Sequence, residues 1–186
     1  DLHFINRQTA IANPFIWKNN LLGGGRIKLL IEKVKELPLF EDFLKEKECY
    51  AEEGLIVANS HKKTATHLQN IPFLPADAIN EDSIIYDKLT TFQWEKVNKL
   101  PTEKIFKAPN IILWKNIGEK RLPIFYNQID FSFRHQIIGV KGTDKELKDI
   151  VANMNLYSNF YRFYIFVTSG YLLINRNTYI LKNDYM

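Results

Sequence analysis

The strongest constraint on the fold is a series of short apolar segments separated by polar turns, from residue 106 onward. Short runs bounded by Gly, Pro, Asn and Asp are typical of strands rather than helices. Residues 117–120 separate the first two runs and indicate a hairpin turn. The predicted strands are residues 110–114, 122–126, 131–133, 136–140, 171–174 and 179–181.

A long amphipathic helix is predicted to begin just after the fourth of these strands. Thr143 and Glu146 have the capping-box spacing, in which each side chain accepts a backbone N–H at the helix start. Apolar residues then recur at helical spacing, which indicates that the aromatic residues of this segment belong to a core rather than a stacking platform. The predicted buried stripe is Leu147, Ile150, Val151, Met154, Tyr157 and Tyr161.

The N-terminal part carries a helical pattern behind a stretch of breakers. Residues 1–25 contain Asn-Pro and three consecutive glycines, and we predict a loop there. The spacing of apolar residues predicts helices over residues 26–37 and 40–48, separated by Pro38.

These patterns predict a fold of the α/β class, more narrowly α+β. Its parts are a small N-terminal helical pair, a twisted mixed β-sheet and one long packing helix. We expect a single domain over residues 1–186, with a helical segment at residues 1–53 and the sheet and long helix at residues 54–186.

The chain has a formal net charge of +4, and the positive charge is concentrated in two blocks. Residues 54–76 contain two lysines and no acid, and residues 104–127 contain five cations and one acid. Residues 26–53 and 77–103 are net acidic. Basic blocks of this kind favour a polyanionic partner.

Several classes of protein are disfavoured by composition. Cys49 is the only cysteine, so neither an internal disulfide nor a cysteine-based zinc site can form, and a reducing compartment fits. No apolar run approaches the length of a membrane span. The chain begins at Asp1 without a secretory leader, so we expect a cytoplasmic protein, no membrane partner and a fragment of a longer chain.

The first candidate site is a polar loop without acids that contains His61, Lys62, Lys63 and Thr64. Lysines supply charge to phosphates, and hydroxyl and backbone N–H groups supply hydrogen bonds. The alternative is an ordinary solvated loop.

The second candidate site is the predicted hairpin with Lys115, Asn116, Lys120 and Arg121. Its cations can neutralise phosphates, while Asn suits adenine and Arg suits guanine in the major groove. The alternative is a charged turn that protects a sheet edge.

Other motifs give weaker indications of anion binding, metal binding or nuclease activity. Arg26 follows the three glycines and is a candidate anion contact, although the segment lacks the Walker lysine and hydroxyl. The four histidines have no metal-like spacing. Glu146-Leu147-Lys148 has the E-x-K form of some nucleases, but Glu146 already has a capping role.

Several stretches of the sequence together resemble a known family. They are residues 17–31 (Trp-Lys-Asn-Asn-Leu-Leu-Gly-Gly-Gly-Arg-Ile-Lys-Leu-Leu-Ile), 39–46 (Leu-Phe-Glu-Asp-Phe-Leu-Lys-Glu), 106–115 (Phe-Lys-Ala-Pro-Asn-Ile-Ile-Leu-Trp-Lys), 125–127 (Phe-Tyr-Asn), 131–134 (Phe-Ser-Phe-Arg), 137–140 (Ile-Ile-Gly-Val) and the helix at 146–164. Over roughly residues 14–182 the chain resembles the specificity region of N6-adenine DNA methyltransferases from restriction–modification systems, of the type IIG single-chain kind that fuses methylation with target recognition. Residues 154–158, Met-Asn-Leu-Tyr-Ser, partly match the Leu-Asn-Ser step that such proteins usually carry in a helix.

The resemblance implies a target recognition domain whose loops enter the major groove of DNA. The two candidate loops and Arg134 would be its contacts. Such a domain recognises a specific duplex sequence and directs adenine-N6 methylation, or linked cleavage, by an N-terminal methyltransferase domain of the parent chain. S-adenosylmethionine would bind that separate domain, so no cofactor is expected in this chain.

Two other classes of function stay open from the residues alone. One is an enzyme, such as a nuclease, with a site that these motifs do not reveal. The other is a protein-interaction module in which the aromatic helix packs on a partner. For the chain itself, binding without catalysis is the favoured hypothesis.

Overall fold

The computed structural model describes residues 4–12, 16–34, 36–57, 63–115 and 120–168. Within these residues the fold is α+β, as the sequence predicts. The helices are α1 (Arg7–Ala12), α2 (Ile16–Leu22), α3 (Gly25–Val34), α4 (Phe40–Glu46), α5 (Asp144–Leu156) and α6 (Ser158–Thr168). The strands are β1 (Tyr50–Glu53), β2 (Lys63–Thr64), β3 (Pro72–Leu74), β4 (Thr90–Thr91), β5 (Lys96–Val97), β6 (Asn110–Trp114), β7 (Ile124–Asn127), β8 (Ser132–Phe133) and β9 (Ile137–Lys141).

A four-stranded antiparallel sheet with the order β1-β9-β6-β7 lies at the centre of the described residues. β6 and β7 form the predicted hairpin, with Asn110 opposite Asn127. β9 lies on the other side of β6, with Ile111 opposite Val140. The strands predicted at residues 110–114, 122–126 and 136–140 are therefore confirmed with small shifts of their ends.

Two smaller sheets flank the central one. β2 and β5 pair as antiparallel strands, and β3 pairs with β4 antiparallel and with β8 parallel. The presence of one parallel pair among antiparallel ones makes the β-structure mixed, as the sequence predicts.

Each face of the central sheet contacts a separate apolar core. Ile111 and Leu113 of β6 are buried with residues of α4, α5 and α6, whereas Ile112 between them is buried with Phe106 and Phe133. Successive side chains of a strand point to opposite faces, so a continuous apolar run is the pattern of a strand buried on both sides. The second core is rich in phenylalanine, and Phe106 meets Phe133 edge to face with 5.0 Å between ring centroids.

The structure divides the predicted long helix into two. Thr143 and Glu146 form the predicted capping box at the start of α5, but the backbone leaves the helical region at Tyr157, with φ −100° and ψ 20°. Tyr157 is 53% exposed, so the buried stripe does not continue through it. Ser158, the first residue of α6, accepts the backbone N–H of Leu122 through its Oγ at 2.7 Å, so the start of α6 gives this buried donor a partner.

The N-terminal part contains more helix than the sequence predicts. The described residues of the segment predicted as a loop, residues 1–25, form α1, α2 and the start of α3. The Asn6 side chain accepts the N–H of Gln8 at 2.9 Å and so caps α1. Gly24 has φ 62°, a left-handed conformation that ends α2, and this explains the glycine run as a helix stop.

Other boundaries differ by a few residues or lie outside the described part. The helices predicted at residues 26–37 and 40–48 correspond to α3 and α4. β1, within the segment predicted as helical at residues 1–53, pairs with β9 and belongs to the sheet. The strands predicted at residues 171–174 and 179–181 lie outside the described residues.

Replacement of Gly54 by Ala should destabilise the protein strongly. A Cβ atom there would lie 2.5 Å from the Arg134 carbonyl oxygen and would also clash with the Phe133 carbonyl oxygen. Because both obstacles are backbone atoms, we expect a loss of about 3 kcal/mol in the free energy of unfolding, measured by urea denaturation. Gly25→Ala is the matched control, since no heavy atom lies within 4 Å of its Cβ position. Equal stability of the two variants would contradict this close packing.

Candidate nucleic-acid interface

A tight turn between β8 and β9 presents three polar residues, Arg134, His135 and Gln136. The Ile137 N–H donates to the Arg134 carbonyl oxygen at 2.9 Å and closes the turn. The His135 N–H donates to Leu55 at 3.0 Å, and the Gln136 carbonyl accepts the Lys115 N–H at 3.0 Å. The backbone of the turn is therefore held on two sides, which fixes where its side chains begin.

Glu53 at the end of β1 joins two lysines beside this turn. Its carboxylate lies 2.7 Å from Lys115 Nζ and 3.6 Å from Lys99 Nζ. The side chains of Glu53 and Lys115 are only 16% and 13% exposed, whereas that of Lys99 is 44% exposed. Lys115 is thus an inner cation with a fixed partner, and Lys99 is an outer cation with access to solvent.

We call Lys99, Lys115, Arg134 and His135, together with Glu53, the basic cluster. The pKa of His135 is lowered from its ordinary value, first by burial and then by the positive charges of Lys115 and Arg134. Lys99 adds to this effect, and the negative charge of Glu53 opposes it. The balance shows that positive potential exceeds negative potential at the imidazole, because one carboxylate faces three cations.

The turn also contains polar atoms whose hydrogen-bonding capacity is unused. Arg134 Nε, His135 Nδ1 and Gln136 Oε1 are buried, and none of them has a hydrogen-bond partner in the described structure. Such groups are uncommon in folded proteins and cost free energy unless a water or ligand satisfies them. Three of them in consecutive residues make this turn the most incompletely satisfied segment of the described chain.

Some of the predicted DNA-contacting residues meet at this cluster. Lys115 and Arg134 both belong to it. Lys63 and Thr64 form β2 and are exposed, and β2 pairs with β5 two residues before Lys99. Ile56, which pairs with Lys99, also lies beside the cluster. His61, Lys62 and Asn116 lie outside the described residues.

Other predicted residues lie elsewhere. Lys120 and Arg121 lie against the α5–α6 junction, where Arg121 Nη2 donates to Asn155 Oδ1 at 2.9 Å. Arg26 is exposed on α3, which packs on α2 and contributes Val34 to the core on one face of the central sheet. The described residues that the sequence predicts as DNA contacts therefore lie at several separate places in the fold.

Three members of the cluster were not among the predicted contacts, namely Glu53, Lys99 and His135. Their positions in the sequence are far apart, and Lys99 and Glu53 both belong to net acidic segments. The pairing of β1 with β9, of β9 with β6 and of Ile56 with Lys99 brings them to Lys115. No local motif in the sequence carries this information.

The described residues also bear on the alternatives. They contain no group of three or more His, Cys, Asp or Glu side chains arranged to hold a metal ion. Glu146 of the E-x-K tripeptide is engaged in the capping box. No helix in the described ranges is both long and apolar enough to cross a membrane.

Comparison with known proteins gives no family assignment. No protein-family model matches the chain, and no curated protein matches it either.

The lowered pKa of His135 predicts a pH dependence of stability. As the pH falls through the ordinary histidine value of about 6.5, the unfolded chain takes up the proton before the folded chain does. The free energy of unfolding should therefore decrease as the pH falls from about 7.5 to about 5.5, and this decrease should be smaller in His135→Gln. Urea denaturation at each pH measures it.

The control for this prediction is His67→Gln, because His67 is exposed in the 3-10 turn Thr66–Asn70. This variant should retain the wild-type pH dependence. Indistinguishable curves for wild type and His135→Gln would show that the cluster does not disfavour protonation of His135.

Proposed function

We propose that this chain binds duplex DNA in a sequence-specific manner and directs adenine-N6 methylation by a separate catalytic domain of a restriction–modification protein. The observation that carries the DNA-binding part is the basic cluster. It brings together cations that are far apart in the sequence. These cations lie next to residues that border the two predicted basic loops.

The cluster has the charge distribution that phosphate binding requires. Lys99 and Arg134 would contact backbone phosphates, and Lys115 would add positive potential from behind them. Binding of this kind releases counterions, so the affinity should fall steeply as salt is added. Phosphate contacts position a protein on DNA but do not read its sequence.

Sequence recognition would come from the turn and the flanking loops. Gln pairs well with adenine through major-groove hydrogen bonds, and Gln136 lies in the turn beside the cations of the cluster. This assignment, and the link to adenine methylation, rest on the resemblance to target recognition domains. S-adenosylmethionine would then be bound by the N-terminal methyltransferase domain of the parent chain.

The first experiment is selection of bound DNA from a degenerate duplex library at low and moderate salt, followed by sequencing. We expect enrichment of one short motif that survives moderate salt. Weak binding without enrichment would contradict a recognition domain and leave only a basic surface.

Loss of two cluster cations should change the salt dependence in a defined way. For Lys99→Gln/Arg134→Gln we expect the slope of log affinity against log salt to fall by about two, because two phosphate contacts are lost. The control is Lys104→Gln/Lys145→Gln, which removes the same charge from exposed positions outside the cluster. If both double variants change the slope equally, the effect is one of net charge and the cluster is not the contact surface.

Removal of the central carboxylate should strengthen DNA binding. Glu53→Gln keeps an acceptor for Lys115 but removes the negative charge that faces the cations. We expect the affinity at low salt to rise by roughly threefold to tenfold, measured by fluorescence anisotropy. An unchanged affinity in a variant that folds normally would mean that Glu53 and Lys115 form a purely structural pair.

A protein-interaction module is the second candidate function. Leu156, Tyr157, Phe160 and Phe163 are exposed along α5 and α6, which is a feature of surfaces that pack on a partner. This candidate would be favoured if the chain self-associates in analytical ultracentrifugation and does not bind DNA.

A further inference from the structure

A cavity of about 310 Å³ opens to solvent where α5 ends and α6 begins. It is separate from the basic cluster and is built by the chain just before β7 and by the two helices. Its lining residues are Lys120, Arg121, Asn155, Leu156, Ser158 and Asn159.

Three hydrogen bonds hold the walls of this cavity together. Arg121 Nη2 donates to Asn155 Oδ1 at 2.9 Å, and the Leu122 N–H donates to Ser158 Oγ at 2.7 Å. Arg162 Nη1 donates to the Lys120 carbonyl oxygen at 3.0 Å. The segment with the two cations is thereby fixed against the helices, and Arg121 is half-buried in a set orientation.

The lining has the chemistry of an anion site. Two cations and two amides face the same space, and none of the described residues that line it is acidic. A carboxylate in contact with this segment belongs to Glu81, which accepts the Lys120 backbone N–H at 3.0 Å. No ion pair joins the side chain of Lys120 or Arg121 to an acid among the described residues.

We infer that this cavity binds a phosphate group. Arg121 would hold two of its oxygens through the guanidinium, as arginine does in bidentate phosphate contacts, and Lys120 would add a mobile charge. Asn155 and Asn159 would donate amide hydrogens to the remaining oxygens. The cavity volume is sufficient for a phosphate and part of the sugar attached to it.

The source of the phosphate follows from the proposed function, on which this part of the inference rests. Lys115 and Lys120 both belong to the connection between β6 and β7. A duplex bound at the basic cluster could therefore also place one of its phosphates in the cavity. The cavity would thus set the register of the DNA backbone, while Gln136 in the turn reads bases. A free phosphorylated compound is the other source of the same chemistry.

The first test uses inorganic phosphate and the whole chain. We expect phosphate, titrated against chloride at matched ionic strength, to shift the side-chain amide signals of Asn155 and Asn159 in nitrogen-edited NMR spectra. Asn159→Asp places a negative charge on an exposed residue of the lining and should weaken this binding by about tenfold or more. Asn70→Asp adds the same charge at an exposed position outside the cavity and should leave the titration unchanged.

The second test identifies the source with DNA. If the phosphate comes from the duplex, Asn159→Asp and Arg121→Gln should each lower the salt slope of DNA binding by about one, and Asn70→Asp should not. Phosphate binding with an unchanged DNA slope would retain the site and overturn the duplex as its source. Absence of amide shifts with phosphate would overturn the site itself, even if the chain binds DNA through the basic cluster.

Discussion

The pairing of β6 with β9 is the constraint on which the rest of the structure depends. Trp114 lies opposite Ile137, and the next hydrogen bond of the ladder joins the Lys115 N–H to the Gln136 carbonyl. A slip of one residue would move every side chain of a strand to the opposite face. Since both faces are buried in separate cores, such a slip would move Ile112 into the core of the helices and Leu113 into the phenylalanine-rich core. Both cores would then have to repack, which strongly disfavours the slip. The register of this pair therefore fixes Lys115 beside the Arg134 turn.

The basic cluster combines a stable inner part with an accessible outer part. Glu53 and Lys115 are mostly shielded from water, which strengthens their attraction, and the same carboxylate keeps Lys99 close. Arg134 and His135 come from a turn whose backbone is held on two sides, while Arg134 Nε and His135 Nδ1 have no hydrogen-bond partner among the described residues. The carboxylate between the two lysines thus holds like charges close together in the folded chain.

The structure places two of the predicted DNA contacts, Lys115 and Lys120, on different parts of the surface. Lys115 and Lys120 are five positions apart in the sequence, yet one faces Glu53 and the other borders the cavity at the α5–α6 junction. A strand of the central sheet and a loop docked on helices hold them in these different places. A charge count along the chain treats such residues as one block, and only the hydrogen bonds of Arg121 and Leu122 show that they serve different surfaces.

The sequence by itself determined the α+β class, the β6–β7 hairpin, the start of α5 and the basic character of the loops. Those features depend on local patterns: apolar runs, turn residues and the Thr143–Glu146 capping box. The tertiary structure alone decided the break at Tyr157 and the membership of Glu53, Lys99 and His135 in the cluster. These depend on contacts between residues far apart in the chain. A buried N–H or carboxylate has to be paired, and its partner is set by the tertiary structure rather than by the local sequence.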